Sequence, residues 1–421
     1  PWTADTRQAE RLYAVVVPPP WSNTDAVISK TQQQLRAHPN DEHSYVVLGE
    51  AYEQEARDVG DPTYYAKADA VLQQARKRQP DDAEAIAAQG SLALSRHDFV
   101  GALALCQQAH QLDPYSANVL GIISDADVQL GKDADAIQSA QQMVNLRPDL
   151  SSYSRISYIR ELHGDFAGAI SAMQAAAIAG GPAAENVAWT SWQLGTLYFD
   201  EGKLDAAQHA FEHGLAIYPK YMHCEAGLAM VAAARGDYQT AIADYNAALN
   251  VMPFPLYIIN LGDVYAAAGQ PQDAAREYGL VAVIEKLFQA NGVNVDMELA
   301  LYQADHHQNL PQALALAQQN NQLRPSVMAA DALAWTRYQS GDCRGAAAAE
   351  RQAMRLGTRL PLMLFHAGMI ARCAGDTATA TADLQQAIAL NPHFSVLYDG
   401  VAETTVAAIT GGSPASARER T

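Results

Sequence analysis

Apolar positions recur along this chain at helical spacing, in blocks that each read as two amphipathic helices joined by a tight turn. The stretch Ala188 to Pro219, AWTSWQLGTLYFDEGKLDAAQHAFEHGLAIYP, shows the plan most fully. Leu194, Gly195 and Tyr198 mark a first helix, Glu201-Gly202-Lys203 a turn, Ala207 and Phe211 a second helix, and Pro219 the stop. Proline stops a helix because it lacks a backbone donor and its ring collides with the preceding turn. Prolines recur at Pro39, Pro80, Pro114, Pro148, Pro219, Pro253, Pro325 and Pro392, and the steps from Pro80 to Pro114 to Pro148 are each 34 residues. The step from Pro39 to Pro80 is 41. Its surplus lies between Tyr52 and Ala68, where Arg57-Asp-Val-Gly-Asp-Pro62 breaks the pattern and predicts a loop.

Ten helix pairs are predicted, starting near Glu42, Ala83, Ala117, Leu150, Ala188, Met222, Pro255, Asn294, Met328 and Pro361. The turns repeat one chemistry in His97-Asp-Phe99, Gly164-Asp-Phe166, Gly236-Asp-Tyr238 and Gly341-Asp-Cys343. The Gly or His closes the first helix and the Asp caps the second. Ala102, Ala136, Ala169, Ala207, Ala241, Ala274, Ala313 and Ala380 follow where paired helices cross, a place that admits only a small side chain. Gly180-Gly181 replaces proline as the fourth stop, and a few extra residues follow before the next helix. The second helix of the seventh pair is predicted to run from Gln272 to about Ala290, with a kink of the array near 290–294.

The ends differ from the blocks. Residues 1–23 read as an arm with a Pro-rich strap, and residues 24–39 as an N-terminal capping helix or half-repeat. Residues 395–410 read as a C-terminal capping helix, with Leu397, Tyr398, Val401 and Ala402 opposite Asp399 and Glu403. Residues 411–421 form a tail without periodicity, expected to be disordered.

Spacing and residue types together resemble the tetratricopeptide repeat (TPR) family across residues 40–394. The resemblance implies an all-α, right-handed superhelical solenoid of about ten helix pairs, whose first helices line a concave groove. It also implies a non-enzymatic scaffold that binds a peptide or protein segment. Carrying the family's groove places onto this chain gives a polar and acidic beginning: His43, Glu50, Glu53, Gln54, Glu84, Asn118, Asp125 and Gln129. The middle becomes aromatic, with Tyr158, Glu161, Trp189, Trp192, Phe199, Asp200, His223 and Met230. The eighth repeat adds Glu298, Tyr302, Asp305 and His306. Aromatic residues beside a few charges suit peptide anchoring. The family's tryptophan falls three residues before its Leu-Gly pair, at Ser191 here, whereas this chain places Trp192 one position later. That offset turns the indole by about 100° on a helix, towards the groove. The basic clamp some TPR proteins use for a peptide carboxylate is missing from these places, Arg372 excepted. The segment from Asn291 to Ile370 also resembles bacterial secreted or envelope TPR proteins of unassigned function, which favours an extracytoplasmic location.

Composition narrows the partners. The 421 residues are 49% hydrophobic and 18% charged, with a formal net charge of −18. Such a balance argues against nucleic acid and anionic membrane, which need clustered Lys and Arg. No apolar run is long enough to span a bilayer. The chain begins at Pro1 without Met, so an upstream segment is expected to have been removed. Of four cysteines, Cys106 and Cys224 fall at core places. Cys343 and Cys373 sit at nearly equivalent ends in neighbouring repeats, a candidate disulfide suited to an oxidising compartment.

Catalysis finds no foothold. Asp305-His306-His307 with Glu298 invites a metal reading, but adjacent histidines project in different directions and no second pair completes a ligand set. No Gly-rich phosphate loop, GxSxG elbow or HExxH occurs, and no cofactor is implied. Two rivals to the peptide-binding scaffold remain open. One is an assembly protein that self-associates through outer faces or ends, and the other an accessory module of a larger enzyme or envelope complex.

Overall fold

The computed structural model describes residues 23–181 and 183–411, so the arm over 1–22 and the tail over 412–421 lie outside the described residues. Those residues form helices joined by turns. A leading helix α1 (Thr24–Ala37) precedes pairs α2 (Glu42–Val59) and α3 (Thr63–Arg78), α4 (Ala83–Ser95) and α5 (Phe99–Leu112), and α6 (Ala117–Gln129) and α7 (Asp133–Leu146). Next come α8 (Leu150–Leu162) and α9 (Phe166–Ala179), α10 (Ala184–Asp200) and α11 (Leu204–Ile217), and α12 (Met222–Ala234) and α13 (Tyr238–Val251). The last pairs are α14 (Pro255–Ala267) and α15 (Pro271–Ala290), α16 (Asp296–Asp305) and α17 (Leu310–Leu323), α18 (Val327–Gln339) and α19 (Cys343–Ala353), and α20 (Pro361–Cys373) and α21 (Thr377–Leu390). A final helix, α22 (Asp399–Thr410), closes the series.

The turn chemistry acts as its residue types require. Asp98, Asp165, Asp237, Asp342 and Asp376 each accept from the backbone N–H three residues on, at Gly101, Gly168, Thr240, Gly345 and Thr379. Each satisfies a donor that a helix start otherwise leaves open. The residue before the cap adopts left-handed backbone, with φ of 71° at Gly164 and 78° at Gly236. His97 holds the same conformation at 62° without being glycine, and its Nδ1 lies 2.7 Å from the Asn294 carbonyl. The crossing alanines are buried without exception, from Ala102 at 0% exposure to Ala274 at 3%.

Several boundaries move. The surplus in the first pair is not a loop: α2 continues through Arg57 to Val59, leaving only Gly60 to Pro62 between the helices. The extra residues before the fifth pair add a turn of helix, so α10 begins at Ala184 rather than Ala188. The final helix begins at Asp399 and not at 395. Side chains bond the local backbone instead, with Asn391 accepting from the His393 N–H and Ser395 from the Leu397 N–H. Such bonds compete with helix initiation.

Long-range packing divides the chain into two compact units, where the sequence predicts one continuous array over 40–394. One unit comprises residues 23–159, 171–190 and 286–294. Its core includes Leu72, Ile86, Cys106, Val119 and Met143. Within it Gln54 donates to Glu185 at 3.1 Å across 131 residues of chain. The second unit comprises residues 160–170, 191–285 and 295–411. Phe211, Trp335, Phe365 and Leu384 anchor its core. Within it the Thr358 hydroxyl donates to the Leu162 carbonyl at 2.6 Å, and the Asn391 amide to the Phe199 carbonyl at 2.8 Å. These bonds join segments 196 and 192 residues apart, separations that a 34-residue period does not reveal.

Candidate functional site: a pocket on three successive first helices

His43, Glu84 and Asn118 occupy the second position of α2, α4 and α6, one residue from each of three successive first helices. The structure brings all three to one pocket of about 250 Å³, together with Glu50, Asp113 and Ser116. Val46, Ala83, Ala87 and Val119 supply its apolar wall. Glu84 and His43 face each other at 3.2 Å, both well exposed at 69% and 70%. Glu50 is exposed at the pocket mouth, yet partial desolvation by the surrounding chain raises its carboxyl above the usual range, and the charges of Glu53 and Glu84 raise it further. Glu53 is satisfied from the protein itself, by Arg57 at 3.2 Å and the hydroxyls of Ser91 and Ser95 at 2.8 and 2.9 Å. Asp125 is similarly engaged, taking the Arg155 guanidinium at 2.6 Å.

The aromatic residues of the second unit serve largely as packing. Trp192 is half-buried and lies beside His223, with ring centroids 4.8 Å apart. Tyr221, Phe254 and Tyr257 surround the same imidazole, and the Tyr257 hydroxyl meets its Nδ1. Burial lowers the His223 pKa to about 4, so the ring is neutral at pH 7. Phe199 and Tyr302 are core residues at 5% and 6% exposure. Asp305 is consumed by two donors, Trp335 Nε1 at 2.6 Å and the Tyr398 hydroxyl at 2.7 Å. His306 Nε2 lies 3.1 Å from Asp263, which separates it chemically from Asp305. Among the described residues no group of three or more His, Cys, Asp or Glu is arranged to hold a metal ion.

Glu161 and Asp200 behave differently. Both are half-buried, and burial pushes their carboxyls up to about 8 and about 7, the Asp200 charge adding to the rise at Glu161. Met230 and Glu298 are half-buried too, and Glu298 Oε2 has no hydrogen-bond partner among the described residues. Tyr158 and Trp189, both half-buried, belong to the first unit.

Comparison with known proteins supplies the family. A tetratricopeptide repeat profile matches residues 63–117 and 193–257, which contain α3 to α5 and most of α10 to α13. The chain carries tetratricopeptide repeats. No curated protein matches it. Among solved structures it is similar to a thermophilic TPR protein of Thermus thermophilus, at 22% identity and TM-score 0.39, covering 44% of this chain and 98% of that one. It is similar to a tetratricopeptide repeat protein of Parabacteroides merdae at 16% identity and TM-score 0.40, covering 60% and 98%. Human IFIT1, solved as a dimer with m7Gppp-AAAA, is similar at 11% identity and TM-score 0.49, covering 92% and 95%. No helix among the described residues of this TPR protein is long and apolar enough to cross a membrane.

Within the TPR register, Ser191 stands where the family places tryptophan. It is fully buried, with its hydroxyl 3.1 Å from His213 Nδ1 on the paired helix α11. Trp192 points instead to His223 on the next first helix, α12. Cys343 and Cys373 meet as a disulfide between α19 and α20, with Cα atoms 5.5 Å apart, inside the range such bonds span. Of the polar and acidic residues that the sequence places at the start of a groove, His43, Glu50, Glu84 and Asn118 line the pocket, whereas Glu53, Gln54, Asp125 and Gln129 do not. Its apolar wall left no signal in the sequence, because Val46, Ala83 and Val119 are indistinguishable by type from ordinary helix-pair core.

Proposed function

We propose that this TPR protein is a non-enzymatic scaffold that binds a segment of a partner polypeptide along its first helices. One observation carries the reading: equivalent positions of three successive repeats converge on a single concave, partly apolar pocket. A repeat array presents a row of equivalent places, and an extended chain is the ligand whose own repeat can follow it. The choice of polypeptide over nucleic acid rests on charge, since a net −18 and three carboxylates at the pocket oppose phosphate. Of the sequence-derived groove, Glu161, Trp192, Asp200, His223 and Met230 belong to a second candidate stretch, which the same peptide search tests.

Selection of a random twelve-residue peptide library against the full chain, with single-stranded RNA oligonucleotides assayed in parallel, tests the reading. Recovered peptides should bind the parent and lose affinity on Asn118→Arg, which blocks the pocket from an exposed position. RNA binding without peptide binding would overturn it. So would peptides indifferent both to Asn118→Arg and to Trp192→Ala.

A further inference from the structure

We infer that the pocket on α2, α4 and α6 receives the side chain of a lysine or arginine from a basic segment of a partner protein. The inference rests on the peptide-binding reading and names the chemistry of its ligand. Three observations converge on it. The first is shape: a pocket of about 250 Å³ accommodates one long side chain and excludes a folded domain. The second is the order of its surfaces. Val46, Ala83, Ala87 and Val119 offer contact to methylene groups, while Glu50, Glu84 and Asp113 place carboxylates around them. Lys and Arg divide themselves in the same way, with an apolar stem and a charged head.

The third is an imbalance of charge. Glu53, nearby on α2, receives Arg57 and two serine hydroxyls, and Asp125 on α6 receives Arg155. No hydrogen bond engages the Glu50 carboxylate among the described residues, and Glu84 has His43 as its partner. Desolvation raises the affinity of Glu50 for a proton, the negative charges of Glu53 and Glu84 raise it further, and His43 opposes them. An ammonium or guanidinium group entering between Glu50 and Glu84 supplies a permanent cation, where the chain itself offers only the His43 imidazole. Acidic and apolar side chains gain nothing equivalent, so the charge pattern specifies as well as attracts.

Two variants and one peptide series test this. Peptides selected on the full chain are resynthesised with each Lys or Arg replaced in turn by Leu or Glu, and binding is followed by fluorescence anisotropy at low and high salt. One basic position should be decisive: Leu there weakens binding at least tenfold, Glu weakens it further, and added salt weakens the parent peptide. Glu84→Lys, a change at an exposed site, should reject the parent peptide and accept its Glu-substituted form, while Glu50→Gln gives a smaller loss. Selected peptides that keep their affinity through every Lys and Arg replacement would overturn the inference and leave peptide binding standing. The absence of any selected peptide would overturn both, and that outcome is separately recognisable.

Discussion

The indole of Trp192 lies against the imidazole of His223, ring centroids 4.8 Å apart and planes inclined by 32°. The contact joins the first helices of adjacent repeats. It also helps keep water from a histidine whose pKa burial lowers to about 4. Removing the indole by Trp192→Ala should therefore raise the His223 pKa towards its ordinary value of about 6.5. The sign for stability follows from the lowered pKa. Neutral His223 contributes stability that is present above the unfolded pKa and is lost as pH falls towards 4, and the variant should lose less on acidification. An NMR titration of the His223 ring measures the shift; an unmoved pKa would assign the dryness to Tyr257 and Phe254 instead.

The Phe211 ring fills the space left by two glycines. A Cβ on Gly195 would come within 2.4 Å of it, and one on Gly227 within 2.5 Å. Gly195→Leu should therefore overpack the crossing of α10 and α11 and cost about 1–3 kcal/mol. Urea denaturation of parent and variant checks this, and equal midpoints would mean that Phe211 is not wedged there.

Glu350 occupies an unusual place. It follows Ala346, fully buried on α19, by four residues, as Phe211 follows Ala207 and Leu384 follows Ala380. Its side chain is 7% exposed, and neither carboxylate oxygen has a hydrogen-bond partner among the described residues. Burial raises its pKa strongly, and the charges of Asp331 and Asp383 raise it further. A carboxyl with a raised folded pKa gives stability that is full below its unfolded pKa and is lost as pH rises towards the folded value. The parent should accordingly weaken between about pH 5 and about pH 9. Glu350→Leu should flatten that slope and gain more than about 1 kcal/mol at about pH 8. Denaturation midpoints at a series of pH values decide it, and parallel parent and variant profiles would refute the assignment.

The Cys343–Cys373 bond closes a loop across α19 and α20, with a sequence separation of 30. Constraining a loop of that length in the unfolded chain stabilises by about 3–4 kcal/mol. A Cys343→Ser, Cys373→Ser double variant should lose stability on that scale. Mass analysis with alkylation before and after reduction should find thiols at Cys106 and Cys224 only after unfolding, both being buried.

The local grammar of this chain was settled by sequence alone. Proline spacing, Asp caps and the small crossing residues act within one helix pair, so residue type and separation suffice to specify them. Hence Ala207, Asp237 and Gly341 were legible at their positions, as was the polar row of His43, Glu84 and Asn118. Which side chains remain available was decided by tertiary structure. Tyr302 and Asp305 carry the types a binding surface uses, yet Tyr278 and Trp335 absorb them from neighbouring helices, and Tyr398 reaches Asp305 from 93 residues further along the chain. The same holds for the backbone carbonyls of Leu162 and Phe199, claimed by residues nearly two hundred positions away. A repeat period encodes contacts between neighbours. Contacts between distant segments depend on how small rotations accumulate from pair to pair, and no single residue type records that sum.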